Sequence, residues 1–331
     1  MRGIRWIIPT WQVLTESQFK LLSKGCRPLP SMTISTIKYN VNNHPNRTKY
    51  RIAVLGNLDY HNWSKESTAA PVMSQLELRL LTSLEIFHKR TLKNCDVKQV
   101  FVQSSLPPEE EYFVRPPIGC PKSPPGTYWK LIRSLYGLCR APKLWFDKLS
   151  AHLKSMGLKS TTNSPCLFFG TLIEGVEREF EQLLSSIGEV GFMGQVSHFL
   201  GIEFTWQHHP DGHVSVTLIQ QSFAENLLES LGLATDSIST FTTPYQSGIS
   251  IDTIPDIDMT TSARDKLRLQ FQSLVGSLNW LAHTTRPDIS TVVSLLAQHQ
   301  SNPSSGHLEA AQYVCKYLSH TKNLGIRYSS S

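Results

Sequence analysis

The segment from Leu92 to Gln103 carries the first side chains whose types and spacing could do chemistry. Its β-branched and aromatic side chains predict a strand, and Asp96 places one carboxylate on that strand. Phe101 follows five residues later, at the turn beyond the acid. A carboxylate on a strand with an aromatic ring beyond it is one way to hold a metal-bound nucleotide and contact its sugar. A purely structural aspartate at a strand end is the alternative that this spacing leaves open.

A pair of cations forms the second candidate. Lys49 and Arg51 lie two residues apart at the start of a predicted strand, so their side chains point to the same face. Two cations on one face can bind a triphosphate or a nucleic-acid backbone. The alternative is an edge strand whose charges protect it from pairing with another chain.

Three histidines, His208, His209 and His213, form a third group around the turn Asp211-Gly212. No acid or cysteine is spaced with them in the way that a zinc site requires. An exposed hairpin tip is therefore the favoured interpretation of these histidines.

The elements that lead the chain to Asp96 are a hairpin and a helix. Strands are predicted over 33–39 and 50–55, joined by a loop over 40–46 that is rich in Asn and contains Pro45. A helix is predicted over 75–93, and its apolar face is formed by Leu76, Leu80, Leu84 and Phe87.

The elements after Asp96 alternate between strands and helices. Pro142 and Gly157 mark the two ends of a predicted helix over 142–156. Ser222 and Glu225 predict a capping box for a helix that ends at Gly232. The other predicted elements are strands at 128–131 and 165–170, an acidic helical stretch at 172–189, a hairpin of 199–206 with 214–220, a linker at 235–261 and helices at 264–283, 288–300 and 307–320.

Charge and cysteine content limit the class of protein. The chain has 331 residues and a net charge of +6, yet residues 1–60 alone contain nine Lys or Arg and only two acids. Such a basic segment suits a polyanionic partner, although a solvated basic surface is an equally common explanation. The six cysteines are scattered without zinc-ligand spacing, which indicates reduced thiols in an intracellular protein. No apolar stretch reaches the length of a signal peptide or a membrane span.

Several segments match one family in the same order along the chain. The chain resembles the reverse transcriptase region of copia-type LTR retrotransposon polyproteins over roughly residues 25 to 328. The matching segments are Lys49-Tyr-Arg-Ile-Ala-Val, Cys95-Asp-Val-Lys-Gln-Val-Phe101, Glu111-Tyr-Phe-Val-Arg-Pro-Pro-Ile-Gly119, Ser134-Leu-Tyr-Gly-Leu-Cys-Arg-Ala-Pro142 with Trp145, Phe199-Leu-Gly-Ile-Glu203, Leu274-Val-Gly-Ser-Leu-Asn-Trp-Leu281, Thr285-Arg-Pro-Asp-Ile289 and Val314-Cys-Lys-Tyr-Leu318.

The resemblance implies an α+β fold of the right-hand polymerase type. It divides the chain into an irregular basic lead-in over 1–30, a fingers-like region over 31–93, a palm-like region over 94–233, a linker over 234–262 and a helical thumb or connection region over 263–331. The implied partners are an RNA template, a DNA primer and deoxynucleoside triphosphates, and no membrane.

The resemblance also assigns roles to the candidate residues. Asp96 would be catalytic as a ligand of Mg²⁺, in a site where two metal ions bridge the triphosphate and the primer hydroxyl. Lys49 and Arg51 would hold the triphosphate, and Phe101 would pack under the sugar and reject a 2′-hydroxyl. Gly137 would let the backbone approach the nucleotide or the template.

The main departure from the family pattern is a missing segment. The family carries Tyr-x-Asp-Asp on a β-hairpin after the strand at 167–169, but this chain has no Asp between Asp147 and Asp211. Glu174 and Glu177 are poor substitutes because their neighbours indicate a solvated helix rather than a strand–turn–strand. Loss of two central palm strands would also expose a hydrophobic sheet edge. With one acid left, binding of Mg²⁺ is expected to be impaired.

Three hypotheses follow from this departure. The first is a degenerate reverse transcriptase that is catalytically inactive. The second is a nucleic-acid-binding remnant without polymerase activity, which the basic N-terminal segment favours. The third is an active polymerase whose catalytic hairpin was lost from the gene model.

Overall fold

The computed structural model describes residues 9–39, 45–120, 123–170, 177–233, 241–245, 251 and 260–330. Helices and strands are both abundant in these ranges, which confirms the predicted α+β class. No helix within the described ranges is long and apolar enough to cross a membrane.

The strands are β1 (Trp11–Thr15), β2 (Ser31–Tyr39), β3 (Pro45–Val54), β4 (Lys93–Val97), β5 (Phe113–Val114), β6 (Thr127–Leu131), β7 (Lys159–Ser160), β8 (Phe168–Phe169), β9 (Val190–Gln195), β10 (His198–Phe199), β11 (Ile202–His208), β12 (Val214–Ile219) and β13 (Ile326–Ser329). The α-helices are α1 (Glu16–Leu22), α2 (Lys65–Thr68), α3 (Gln75–Phe87), α4 (Ala141–Ser155), α5 (Glu177–Ser185), α6 (Gln221–Ser230), α7 (Thr261–Thr284), α8 (Ser290–Ala297) and α9 (Ser305–Thr321). Contacts divide the chain into a first unit of 1–74 with 95–193 and a second unit of 75–94 with 194–331.

The first unit contains a three-stranded sheet in the order β1–β6–β5. Strand β1 runs antiparallel to β6, with Val13 opposite Trp129. The indole of Trp129 is fully buried and belongs to the main apolar cluster of this unit. This sheet and its cluster form the base on which the following loops and the β2–β3 hairpin lie.

The predicted irregular lead-in over 1–30 is wrong for its described part, because β1 and α1 are regular elements. Thr15 closes β1 and opens α1 through a capping box, in which the Thr15 hydroxyl accepts a hydrogen bond from the Gln18 amide. The Gln18 side chain accepts one in return from the Thr15 amide. Buried Leu14 and Phe19 then anchor both elements. These elements are too short to show a clear hydrophobic period in the sequence.

The β2–β3 hairpin confirms the two predicted strands and extends the second of them toward its N-terminus. The strands pair antiparallel from Ser31 opposite Val54 to Tyr39 opposite Pro45. The predicted loop over 40–46 lies outside the described residues except at its last two positions. Ile52 and Val54 are buried in the main cluster of the first unit, so the base of the hairpin is fixed by packing.

Helix α4 confirms the predicted helix over 142–156. Pro142 lies in its first turn, where a missing amide hydrogen is harmless, and Gly157 follows its end with φ of +86°. The predicted strand at 165–170 is reduced to the two residues of β8.

The acidic stretch at 172–189 is helical over a shorter range than predicted, because the described helix α5 ends at Ser185. Residues 171–176 lie outside the described residues. After α5 the chain forms β9, which pairs with β4 in a two-stranded sheet. This pairing was not predicted, and it gives the strand of Asp96 a neighbour.

The second unit contains an antiparallel sheet in the order β10–β11–β12–β13. The predicted hairpin is confirmed as β11 and β12, with Glu203 opposite Ile219 and His208 opposite Val214. Gly212 in the connecting turn has φ of +82°, a conformation that suits glycine.

The predicted capping box of α6 is wrong. The helix begins at Gln221, so Ser222 lies inside the first turn and its amide donates to the Glu203 carboxylate at 2.8 Å. Glu225 instead accepts a hydrogen bond from the Gln221 side chain and pairs with Lys322. The sequence pattern fits a capping box, but a side chain from β11 takes over the role of the cap.

Helices α7, α8 and α9 confirm the three helices predicted near the C-terminal end, and they enclose the largest apolar cluster of the second unit. Buried Arg286 links the end of α7 to α9, because its guanidinium donates to the Thr321 carbonyl at 2.7 Å and pairs with Asp288. The predicted linker at 235–261 lies mostly outside the described residues.

The predicted apolar face of the helix before β4 is not the face that packs on the sheet. Leu78, Thr82 and Ile86 are the buried residues of α3, which packs on β12 and β13. The four residues of the predicted apolar face are exposed, namely Leu76, Leu80, Leu84 and Phe87. Helix α3 has two apolar faces, and periodicity alone does not indicate which of them contacts the sheet.

Candidate nucleotide site

The two cations of the β2–β3 hairpin lie as predicted on one face. Lys49 is opposite Thr36 and Arg51 is opposite Ile34 in the strand register. Lys49 is exposed and Arg51 is half-buried, and neither forms an ion pair with another described residue. Their charges are therefore available to an anion.

Asp96 lies on β4 and is exposed. The strand ends at Val97, earlier than the predicted segment, and Gln99 then adopts a left-handed conformation with φ of +52°. A short 3-10 helix over Val100–Gln103 follows and carries Phe101 beyond the acid. Lys98 pairs with Glu189 and so fixes the end of β4 next to the start of β9.

Tyr136 is a site residue that the spacing arguments missed. Its ring meets the Phe101 ring edge-on, with centroids 4.9 Å apart. Burial raises the pKa of the Tyr136 hydroxyl, the positive charge of Arg51 lowers it, and the negative charge of Asp96 raises it. Phe101 therefore contacts Tyr136, and Arg51 and Asp96 lie near enough for their charges to affect its hydroxyl. Tyr136 could have been predicted from the sequence, because it precedes Gly137 in the segment Ser134–Pro142.

Gly137 allows a close approach between two backbone segments. Its φ is +89°, and a Cβ at this position would lie 1.9 Å from the carbonyl oxygen of Val54. The Val54 amide also donates to the Tyr136 carbonyl at 2.7 Å. The neighbour that Gly137 approaches is thus the end of β3, and its predicted contact with a nucleotide or template stays a prediction.

Binding of two metal ions at Asp96 requires further acidic side chains close to it. The described residues contain no group of three His, Cys, Asp or Glu side chains that could hold a metal ion. Burial and the charges of Asp96 and Glu181 raise the pKa of the Cys95 thiol. Glu181 therefore lies near Cys95, whose side chain points to the face of β4 opposite that of Asp96. Glu174 and the Glu177 side chain lie outside the described residues.

Mg²⁺ prefers octahedral oxygen ligands, and a two-metal site needs several carboxylates to neutralise its charge. Asp96 is the only acid within the two described strands β4 and β9 that pair at this site. The described residues therefore do not fit a pair of magnesium ions.

The first unit also contains a partly buried polar cluster. The Asp59 carboxylate accepts hydrogen bonds from the His61 ring at 2.7 Å, the Trp63 indole at 3.0 Å and the Tyr112 hydroxyl at 3.3 Å. Arg140 lies 4.8 Å from the Trp63 ring. These contacts join loops that are distant in sequence, and spacing alone gives no signal of them.

Arg140 lies in the family segment Ser134–Pro142, and the structure shows what it contacts. It forms an ion pair with Glu110, a residue that is almost fully buried. Burial raises the pKa of Glu110, while the charge of Arg140 lowers it. Arg140 thus has a charged partner inside the first unit.

The histidines of the β11–β12 turn are confirmed as a hairpin tip. His209 contacts the Ser215 hydroxyl at 3.2 Å, and His213 lies 3.7 Å from the Asp211 carboxylate. Within the described residues these histidines join no metal-binding group.

Part of the sequence matches the model of a known protein family. A family model described as reverse transcriptase (RNA-dependent DNA polymerase) matches residues 17–177. This range contains all five predicted site residues, namely Lys49, Arg51, Asp96, Phe101 and Gly137, and it ends at the segment where Tyr-x-Asp-Asp is missing. Reverse transcriptases act on nucleic acids and generally use divalent metal ions.

Related proteins extend the similarity along the chain. The Retrovirus-related Pol polyprotein from transposon RE1 of Arabidopsis thaliana is 25% identical over 96% of this chain, and that from transposon TNT 1-94 of Nicotiana tabacum is 24% identical over 90%. The transposon Ty5-1 protein of Saccharomyces cerevisiae is 27% identical over 71% of this chain and 78% of its own length. The chain spans only 22% of the RE1 polyprotein and 23% of the TNT 1-94 polyprotein.

The family-model match and these relatives confirm the predicted resemblance. By its sequence, the chain is related to the reverse transcriptase region of copia-type retrotransposon Pol polyproteins.

Proposed function

We propose that the chain is a reverse transcriptase segment, of the fingers-and-palm type, that has lost polymerase activity. The observation that carries this proposal is the absence of any Asp between Asp147 and Asp211, which leaves Asp96 without the two acids of Tyr-x-Asp-Asp. Nucleotidyl transfer through two metal ions depends on charge neutralisation by several ligands. A single exposed carboxylate neutralises too little charge, so binding of Mg²⁺ in this arrangement is impaired.

The parts of the site that contact phosphate and sugar are retained. Lys49 and Arg51 would hold a triphosphate or a strand backbone. Phe101, braced by Tyr136, would lie under the sugar, and Gly137 would shape the adjacent loop. An RNA template, a DNA primer and deoxynucleoside triphosphates are the ligands that these residues suit, and an intracellular location agrees with such ligands.

Primer extension tests the loss of activity. The full chain is mixed with a primed RNA template, deoxynucleoside triphosphates and either Mg²⁺ or Mn²⁺, and products are resolved to single nucleotides. We expect no templated extension with either ion. Robust templated DNA synthesis would refute the proposal.

Binding of nucleic acid without synthesis is the second candidate function. It is favoured by the excess of seven positive charges in residues 1–60 and by the face that Lys49 shares with Arg51. Contacts with phosphate release counterions, so affinity for a single strand or a primer–template should fall steeply as salt rises.

The combined variant Lys49→Ala with Arg51→Ala tests this binding. Loss of two phosphate contacts should reduce the slope of log affinity against log salt by roughly 1.5 to 2. The matched control, Lys65→Ala with Lys159→Ala, removes two exposed cations of the same unit that belong to α2 and β7 and not to the hairpin. An affinity that does not change with salt concentration would rule out a site on the hairpin. An equal loss of affinity in both double variants would rule it out as well.

The third hypothesis concerns the gene rather than the protein. Sequencing the transcript across the codons for Gly170 to Glu177 shows whether a catalytic hairpin is encoded there. A transcript with an inserted Tyr-x-Asp-Asp segment would support an active polymerase, and a transcript that matches the present sequence would remove that hypothesis.

A further inference from the structure

Two cations of the first unit share one backbone acceptor. The guanidinium of Arg133 donates to the Gln103 carbonyl at 3.2 Å, and the ammonium of Lys148 donates to the same oxygen at 2.7 Å. The Lys148 ammonium also donates to the Ile187 carbonyl at 3.3 Å. Because both side chains contact one oxygen, the two donor nitrogens lie no more than about 6 Å apart. We name Arg133 and Lys148 the Gln103 cation pair.

No carboxylate neutralises this pair within the part of the chain that the structure describes. Lys98, Arg140 and Lys143 of the same unit each form an ion pair with an acid, but Arg133 and Lys148 form none with a described residue. The carbonyl acceptors are neutral, so they orient the two cations without cancelling their charge. Since a partly buried charge normally has an opposite charge beside it, the pair is an unusual concentration of positive charge.

This concentration of charge acts on Lys148 itself. Burial lowers the pKa of the Lys148 ammonium, and the positive charge of Arg133 lowers it further. Both causes disfavour the charged form of Lys148. An anion bound between the two side chains would offset the repulsion and favour the charged form again.

The two side chains have donors left for such an anion. Arg133 and Lys148 are both partly exposed, whereas the residues that accept their hydrogen bonds are buried. A guanidinium has five N–H donors and an ammonium has three. The bonds described above use one donor of Arg133 and two of Lys148. Charge-assisted hydrogen bonds of about 2.8 Å from each cation can therefore meet on one oxyanion.

We propose that the Gln103 cation pair binds a dianionic phosphate group, which is either the phosphorylated end of a nucleic-acid strand or free phosphate. Such a group carries about two negative charges and three strong acceptor oxygens, so it suits two cations that approach from different elements. Arg133 follows β6 and Lys148 lies in α4, and neither belongs to the β2–β3 hairpin. The site is therefore additional to the proposed contacts of Lys49 and Arg51, and it does not depend on them.

A structural clamp is the competing explanation of the same contacts. The bonds to the Gln103 carbonyl join α4 to the 3-10 helix that carries Phe101. A clamp needs only the donors, and it would bind no phosphate. Measurement of binding separates the two explanations, because the clamp affects stability alone.

Titration calorimetry of the full chain with inorganic phosphate tests the proposal. Arg133→Met and Lys148→Met should each weaken binding by roughly fivefold or more, because each removes a charge-assisted hydrogen bond. Arg133→Lys keeps the charge and should retain most of the affinity. Each single variant leaves one donor on the Gln103 carbonyl, so we expect both to fold, and thermal unfolding checks this.

Two controls separate this site from general attraction to a basic protein. Lys154→Met with Lys159→Met removes two exposed cations of the same unit and should leave phosphate binding unchanged. The loss caused by Lys148→Met should also persist when Lys49 and Arg51 are both replaced by Ala. A failure of the hairpin site and a failure of the Gln103 cation pair therefore give different results.

A pair of oligonucleotides distinguishes the two sources of phosphate. If the pair binds the end of a strand, a short oligothymidylate with a 5′-phosphate should bind more tightly than the same strand without it, and Lys148→Met should abolish the difference. Equal binding of the two strands, together with phosphate binding that depends on the pair, would identify free phosphate as the ligand. The proposal would be overturned if no phosphate bound, if Arg133→Met and Lys148→Met left binding intact, or if the control variant lost as much affinity as they did.

Discussion

At the scale of single residues, Gly56 and Gly137 lie where two backbone segments of the first unit touch. A Cβ on Gly56 would lie 2.0 Å from the Gly137 carbonyl oxygen, and one on Gly137 would lie 1.9 Å from that of Val54. Val54 ends the strand that carries Lys49 and Arg51. The glycine contact thus fixes the two cations relative to the loop of Tyr136.

Substitution of Gly137 by Ala should destabilise the fold for two reasons. The new Cβ would collide with the Val54 carbonyl, and the backbone has φ of +89°. We expect Gly137→Ala to lower the free energy of unfolding by about 3 kcal/mol, measured by urea denaturation.

Gly157→Ala separates these two causes. Gly157 has φ of +86°, but a Cβ there meets nothing within 4 Å, so its substitution should cost only about 1 kcal/mol. Equal losses for the two variants would show that the contact with Val54 contributes nothing.

Local spacing could predict some site residues and not others. Asp96, Phe101, Lys49 and Arg51 were found because they lie close together within their own segments. The hydrogen bonds of Asp59 could not be predicted, because Tyr112 is 53 residues away and only the folded chain brings the two together.

At the scale of elements, hydrophobic periodicity predicts that α3 is a helix but does not predict which face of it is buried. The helix was predicted from its leucines, but the face that packs on the sheet is that of Leu78 and Ile86. Both faces have helical spacing, and the partner that selects one of them, β12 with β13, comes from a distant part of the sequence.

Alanine substitution measures which face is the core face. Leu78→Ala should lower the free energy of unfolding by about 2 to 4 kcal/mol, because it leaves a cavity at a buried site. Leu80→Ala should change it by less than about 0.5 kcal/mol, because half of that side chain is already in water. Both are measured by thermal or urea unfolding. A larger loss at Leu80 would contradict the orientation of α3.

The strand of Asp96 gives a second example at this scale. Loss of two palm strands was expected to leave a hydrophobic edge, and β9 instead pairs with β4. Phe192 and Met193 of β9 remain 38% and 58% exposed, so the faces of this two-stranded sheet are only partly covered. Short strands such as β9 and β5 escape prediction because two to six residues carry little periodic signal.

At the scale of the whole molecule, the contact units do not follow chain order. Each unit is built from two separate parts of the sequence, and the chain passes from one unit to the other around 74–95 and 193–194. Consecutive segments of the sequence cannot predict such a division. The irregular lead-in apart, the predicted regions remain predictions. The order of the family motifs was recognisable from sequence, because it depends on residue identity and not on packing.

The central claim is that one carboxylate cannot support two-metal nucleotidyl transfer. It is tested most directly by single-nucleotide primer extension with saturating Mn²⁺, comparing the unaltered chain with Asp96→Asn. We predict that both proteins give the same signal as a reaction without protein, because Asp96 has lost the acids with which it would act. Templated extension by the unaltered chain that disappears in Asp96→Asn would contradict the account, since it would show a working metal site built around Asp96.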